Sequence, residues 1–151
     1  MAQKVGYVIH NDKLYSADML AVLAKHKKLP VKKCNPTDHA GVLAMPTWET
    51  PDRKDLTPLE VLEHPDDHPE HFVRIGKADL KHPILIAPDG SILDGYHRLA
   101  KAVATSVPTI KCIQLTPQIL KLALLGDASD EEVFYGTTVI DLMQQLVKAL
   151  R

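Results

Sequence analysis

The pattern of hydrophobic and polar positions predicts strands and helices that alternate along most of the chain. Val5, Tyr7 and Ile9 recur at every second position, which predicts a strand over 4–10. Helical spacing follows up to about Lys28, and Ser16 is a suitable N-cap for this helix. Its apolar face is predicted to comprise Met19, Leu20, Leu23 and Ala24.

The clearest signals lie in the middle of the chain. A buried strand is predicted at 84–86 and a second strand at 91–93, with the turn residues Pro-Asp-Gly between them. An Asp-Gly break at 94–95 is followed by a predicted helix over 96–105. The other predicted elements are a strand of low sequence support at 31–34, a strand at 109–115, and helices at 57–64, 116–126 and 139–150. Residues 64–80 are predicted to be a polar turn that leads into a short helix.

Residues 35–58 differ from the rest of the chain because four prolines interrupt them and only 41–45 looks regular. A long connection of this kind is usually functional or wrapped around the domain. The alternation elsewhere predicts an α/β or α+β fold: a single domain over 1–151 with one small mixed sheet and flanking helices. The apolar stripe of the helix at 139–150 is typical of core packing or of a homodimer interface.

Composition narrows the class of protein. The 151 residues are 45% apolar and 25% charged, which is typical of a soluble globular domain with its own core. A net charge of -1 without runs of like charge argues against a general polyanion binder, so an anion site must be local. No apolar run approaches a membrane span, and the N-terminus lacks the pattern of a secretory signal. Two cysteines, Cys34 and Cys112, form no CxxC motif, and we expect a cytoplasmic protein with reduced, structural thiols.

The stretch "SILDGYHRLAKA" is the strongest candidate for chemistry. It places His97 and Arg98 in the first turn of a helix, where the helix dipole disfavours positive charge. The backbone N–H groups of a helix start bind anions, and Gly95 lets a ligand approach them. The forked donors of Arg98, and Lys101 one turn later, suit a phosphate group. These features predict a phosphate cradle.

The same residues have plainer interpretations. Asp94 is a residue type that often caps a helix, although it could also hold a divalent cation or accept a proton from a hydroxyl group. His97 can donate to a phosphate oxygen or move a proton near neutral pH. An arginine in a first turn commonly points into water, so the local pattern leaves the structural interpretation open beside the functional one.

Two further segments carry candidate chemistry. "HPDDHPEH" places His64, His68 and His71 among carboxylates, but its prolines break the helical spacing that a metal site would use. A polar, solvated turn is the favoured interpretation, although it could form the rim of the nucleotide site, and no metal ligands are assigned. Trp48, the only tryptophan, could stack on a base, but core packing is favoured.

The segment "HPILIAPDGSILDGYHRLAKAVATSVPTIKCIQL" resembles the ParB/sulfiredoxin superfamily. Its members carry a strand, a Gly-x-x-Arg or Gly-x-His-Arg element that opens a helix, and a closing strand. Gly95, His97 and Arg98 match that element. The likeness covers about 56–125 and leaves two parts unexplained. These are an N-terminal strand-helix extension, 1–50, and the C-terminal helix, 139–150.

This resemblance implies a site that binds the phosphates of a nucleotide. Its residues would be Gly95, Tyr96, His97, Arg98 and Lys101. Sulfiredoxins carry a cysteine where this chain has Tyr96, so the sulfiredoxin reaction lacks its nucleophile. ParB proteins bind CTP and close on DNA, but the expected helix-turn-helix domain has no counterpart here, which makes DNA the weaker expectation.

Free-serine kinases of the same fold carry Asp-Gly-His-His-Arg, which "DGYHR" matches at all but one position. The resemblance therefore implies a phosphotransferase that uses ATP or ADP, with Mg²⁺, on a small hydroxyl compound, with Asp94 and His97 as catalytic residues. A second carboxylate is expected, but no upstream residue aligns with one. The alternative is a non-catalytic, CTP-gated switch or a module that binds DNA or a protein partner, so enzymatic activity stays open. The carboxylates considered are Glu60, Glu63, Asp66, Asp67 and Glu70.

Overall fold

The computed structural model describes residues 7–50 and 52–127, together with 147, 148 and 150. These residues form helices and short strands, and the fold is of the predicted α+β class. The strands are β1 (Tyr7–His10), β2 (Lys13–Ser16), β3 (Lys32–Cys34), β4 (Trp48–Thr50), β5 (Arg53–Leu56), β6 (Ile84–Ile86), β7 (Ile92–Asp94), β8 (Ile110–Gln114) and β9 (Leu124–Asp127). The α-helices are α1 (Ala17–His26), α2 (Pro58–Glu63), α3 (Pro69–Lys77), α4 (Tyr96–Ala104) and α5 (Pro117–Ala123).

The described strands form three small sheets where one was predicted. Their strand orders are β1-β2-β9, β3-β8-β6-β7 and β4-β5. The pairing is antiparallel for β1 with β2, β2 with β9, β3 with β8 and β4 with β5. The chain divides into two compact units, and strands β6 and β8 begin in one unit and end in the other.

The first unit comprises 1–30, 86–94 and 114–151. It begins with a hairpin in which His10 pairs with Lys13 and the two turn residues between them have φ values of +50° and +61°. Positive φ at both positions is the type I′ geometry that matches the twist of a hairpin. The predicted strand is confirmed over 7–10, whereas residues 4–6 lie outside the described residues.

Helix α1 agrees closely with its prediction. The Ser16 hydroxyl accepts a hydrogen bond from Met19 N at 3.2 Å, so this serine ends β2 and caps the helix. The predicted apolar face is buried. Helix α1 packs against α5 in the core of the first unit.

The predicted helix at 116–126 is too long. Thr116 caps it as expected, with its hydroxyl accepting from Ile119 N at 3.3 Å, but α5 ends at Ala123. Residues 124–127 instead form β9, which pairs with the open edge of β2. This pairing is a tertiary interaction that helical spacing does not reveal. The predicted helix at 139–150 lies outside the described residues except for 147, 148 and 150, which are helical.

The second unit comprises 31–85 and 95–113. The prediction of a mostly irregular segment at 35–58 is wrong, because Pro36–Ala44 forms a 3₁₀ helix and two strands follow it. The 3₁₀ helix starts where the Asn35 side chain accepts from Thr37 N at 3.0 Å, with Pro36 at the first position. Proline is well suited to that position, so it starts this helix and does not disrupt it.

The helices of the second unit surround its core. The predicted cap of α2 is confirmed, since the Thr57 hydroxyl accepts from Glu60 N at 3.1 Å. Helix α4 packs against the 3₁₀ helix, α2 and α3. None of the helices in the described part of the chain combines the length and apolarity needed to cross a bilayer. The fully enclosed side chains of this unit include Leu56, Val61, Ile84 and Leu99.

Candidate functional site

The turn into α4 is built on Gly95. This residue is the N-cap of α4, with φ +108° and ψ 22° in the left-handed region. A Cβ at this position would lie 2.5 Å from Ile84 Cγ2 and 2.9 Å from Ile84 Cβ. Both the backbone conformation and the contact with Ile84 therefore require glycine.

The cap residue of α4, Gly95, has no side-chain oxygen with which to accept from the first turn of the helix. The N–H groups of a first helical turn have no partner within the helix, and a side-chain oxygen commonly accepts from one of them. Asp94 is half-buried, ends β7 and directly precedes the cap residue Gly95. An anion is the other common partner of such a helix end.

His97, in the first turn of α4, stacks against Trp48 together with His71. The ring centroids of Trp48 and His97 are 4.3 Å apart, and those of Trp48 and His71 are 4.5 Å apart. The two imidazole centroids are only 5.5 Å apart, whereas rings on opposite faces of an indole would be separated by about twice the stacking distance. Both imidazoles therefore lie on the same face of Trp48, side by side. We call these three residues the Trp-His-His stack.

A hydrogen bond joins the two imidazoles of the stack. His71 Nδ1 and His97 Nε2 are 3.3 Å apart, so one nitrogen carries the proton and the other accepts it. Burial, the largest cause, together with the charges of Arg74, His71 and Arg98 lowers the pKa of His97 to about 4. His97 is consequently neutral at physiological pH.

The two cations of the predicted cradle contact backbone carbonyls. Arg98 Nη1 donates to Pro83 O at 2.5 Å. Lys101 Nζ donates to Gly76 O at 2.9 Å and to Ala78 O at 2.8 Å. These carbonyls belong to the end of α3 and the segment after it, where positive charge is favourable. Both side chains therefore hold this segment against α4, in addition to any role toward a ligand.

Of the predicted site residues, Arg98 lies close enough to His97 for its charge to lower the pKa of His97. Lys101 instead contacts the C-terminal end of α3. Tyr96 is half-buried, and burial raises the pKa of its hydroxyl, which stays protonated near neutral pH. The sequence assigned His71 to a separate cluster and Trp48 to the core. Trp48 is indeed buried, but its stacking on two histidines had no signal in residue spacing.

Glu60, one of the upstream carboxylates that could supply a second catalytic group, is held by Arg53. Both oxygens of Glu60 accept from Arg53, at 2.7 Å and 3.1 Å, and Arg53 Nε donates to Asp55 at 2.8 Å. This pairing lowers the pKa of the Glu60 carboxyl. Within the described ranges, no three His, Cys, Asp or Glu side chains are grouped as ligands for a metal ion.

Comparison with models of protein families, with curated proteins and with solved structures gives no match. The likeness to the ParB/sulfiredoxin superfamily therefore rests on the motif residues alone.

Proposed function

We propose that this chain binds the phosphates of a nucleotide at the N-terminus of α4 and transfers a phosphoryl group to a small hydroxyl compound. The observation that carries the proposal is the start of this nine-residue helix, where glycine is the cap residue and beside which positive charge accumulates. Arg74 and Arg98 are close enough to His97 to lower its pKa. An anion at this helix end would interact favourably with both the arginines and the helix dipole.

The neutral state of His97 suits a role as hydrogen-bond donor. When His71 Nδ1 carries the shared proton and donates to His97 Nε2, the remaining proton of His97 lies on Nδ1. That N–H can donate to a phosphate oxygen. Trp48 covers the face of the imidazole and so limits its orientations, which reduces the entropy lost on binding.

Asp94 supplies the base of the proposed reaction. It directly precedes Gly95 in the chain, and the resemblance to free-serine kinases implies that it is catalytic. The substrate hydroxyl oxygen would form a bond to the terminal phosphorus while the bond to the leaving phosphate breaks, and the hydroxyl proton would pass to Asp94. Mg²⁺ ordinarily neutralises charge in this chemistry. The described residues include no ready set of three ligands for it.

Calorimetric titration with ATP, ADP, CTP and GTP tests the binding step. His97→Ala should weaken nucleotide binding by roughly tenfold or more, the effect of losing a hydrogen bond to a charged group. His82→Ala is the matched control, because His82 belongs to the same unit and its side chain is 74% exposed. Equal affinities for all three proteins would overturn the proposal.

Turnover tests the transfer step separately. We expect release of ADP from ATP, or of AMP from ADP, in the presence of pooled hydroxyl metabolites, and its loss in Asp94→Asn with nucleotide affinity retained. The engagement of Glu60 by Arg53 favours one other function, the non-catalytic nucleotide switch, because it removes a candidate for the second carboxylate. Preferential binding of CTP without turnover would support that switch and reject the transferase.

A further inference from the structure

A second cationic site lies in the same unit, away from the first turn of α4. A surface cavity of about 500 Å³ is lined by Lys33, Lys81, Lys101 and Lys111, with Thr109 and Asp79 between them. We call this cavity the lysine groove. Its volume falls within the range of small-molecule sites.

The lysine groove has a marked excess of positive charge. Four ammonium groups face one carboxylate, in a chain whose net charge is -1. Asp79 Oδ1 accepts from Lys81 N at 2.9 Å, and this hydrogen bond lowers the pKa of Asp79, with smaller contributions from the charges of neighbouring residues, Lys101 among them. Among the described residues, no carboxylate forms an ion pair with any of the four lysines.

Two of the lysines occupy an unfavourable arrangement. Lys33 of β3 and Lys111 of β8 are direct partners in the antiparallel register, and both side chains are exposed. Like charges directly opposite each other destabilise a strand pair. An anion between them would convert this repulsion into attraction.

A third lysine is fixed in position. Lys101 Nζ donates to the carbonyls of Gly76 and Ala78, which uses two of its three N–H groups. The ammonium is thus held in place before a ligand arrives, and one donor is left for it. Little side-chain entropy remains to be lost there on binding.

From this arrangement we infer that the lysine groove binds a small molecule that carries two or more phosphate groups. A single monoanion would leave most of the positive charge uncompensated, whereas an oligophosphate matches several ammonium groups at once. The bounded volume and the chain's net charge argue against a long polyanion. Leu80 and Ile110 provide an apolar wall for the part of the ligand that carries no phosphate. The inference does not depend on the proposed function, since Lys33 and Lys111 are no part of the α4 site.

Calorimetry with inorganic tripolyphosphate at low salt tests this inference. The double variant Lys33→Gln/Lys111→Gln should bind at least about tenfold more weakly than the natural sequence, as expected for losing charged contacts. The double variant Lys25→Gln/Lys27→Gln, which removes the same charge from exposed positions at the end of α1, should bind normally. Tripolyphosphate should also raise the melting temperature of the natural protein and of the control by more than that of the groove variant.

Three outcomes would overturn the inference. The first is no detectable binding of tripolyphosphate, and the second is an equal loss in both double variants, which would indicate a general charge effect. The third is tighter binding of a single-stranded oligonucleotide, dependent on the same lysines, which would indicate a polymer-binding surface. His97→Ala should keep the tripolyphosphate binding that depends on Lys33 and Lys111, and the groove variant should keep the nucleotide binding that depends on His97. Failure at one site is therefore distinguishable from failure at the other.

Discussion

His71 and His97 lie edge to edge under one face of the Trp48 indole, with 3.3 Å between Nδ1 of the first and Nε2 of the second. Twenty-six positions separate the two histidines in the chain. The contact accommodates one proton between the rings but not a donor on each side. Because the surroundings also contain Arg74 and Arg98, a further positive charge on His97 is strongly disfavoured.

The low pKa of His97 predicts a loss of stability in mild acid. An unfolded chain protonates this histidine near its ordinary pKa of 6.5, whereas the folded chain resists protonation until about pH 4. Between these values the unfolded state binds more protons, so the free energy of unfolding falls as the pH falls. The loss should be on the order of 1–2 kcal/mol after allowance for partial exposure to solvent.

Urea denaturation across this pH range, with His97→Gln as the variant, measures the effect. Glutamine has no charge to gain, so the variant should lose less stability between pH 6.5 and pH 4 than the natural sequence. His82→Gln, at an exposed histidine, should keep the natural slope. Identical slopes in all three proteins would contradict the burial of a neutral His97.

Removal of Trp48 should both destabilise the protein and release His97. Trp48→Ala removes a large buried side chain and should cost roughly 3 kcal/mol. Burial is the largest cause of the lowered His97 pKa, so the variant should titrate closer to 6.5. Trp48→Phe keeps an aromatic ring on the histidines and should show a smaller shift. An NMR titration of the His97 ring protons measures the pKa, and an unchanged value in Trp48→Ala would show that the indole does not shield the imidazole.

Gly95→Ala should be markedly destabilising. The new Cβ would collide with Ile84, and its backbone would be held at φ +108°. Positive φ costs a non-glycine residue about 1–3 kcal/mol, and overpacking of a core adds about as much again. Gly90→Ala is the matched control, since its φ is +94° but no atom lies within 4 Å of an added Cβ. Chemical denaturation should give the larger loss for Gly95→Ala, and equal losses would mean that Ile84 does not constrain this turn.

The thiol of Cys34 should react slowly despite its partial exposure. Burial, a hydrogen bond with Cys112 and the nearby Asp38 raise its pKa to about 12, so very little thiolate is present at neutral pH. Cys112 is buried. Labelling of the folded protein with a disulfide reagent at pH 8 should therefore be far slower than labelling of the urea-unfolded chain. Rapid modification of Cys34 in the folded protein would contradict the raised pKa of this thiol.

The sequence correctly predicts the structural features that depend on residues close together in the chain. Ser16, Thr57 and Thr116 each cap the helix that was expected to start there, because a cap is a contact across three residues. The start of α4 at Tyr96 follows from another local signal, the Asp-Gly break that directly precedes it.

What the sequence does not predict depends on contacts between distant residues. Strand β9 forms because β2 offers an open edge more than a hundred positions earlier in the chain, and helical spacing continues through its residues. The Trp-His-His stack is a similar case, since no spacing links Trp48 to α3 and α4. The lysine groove also arises from tertiary structure, because its four cations come from four separate segments.

Strand β3 lies at the end of its four-stranded order and carries two exposed lysines, Lys32 and Lys33. An outer strand offers unpaired N–H and C=O groups to any second chain, and lysine is a common means of blocking such growth. If two copies of the protein approached through β3, their ammonium groups would be brought together and would repel each other. The charges that make the groove attractive to phosphate compounds thus also protect the folded protein from edge-to-edge aggregation.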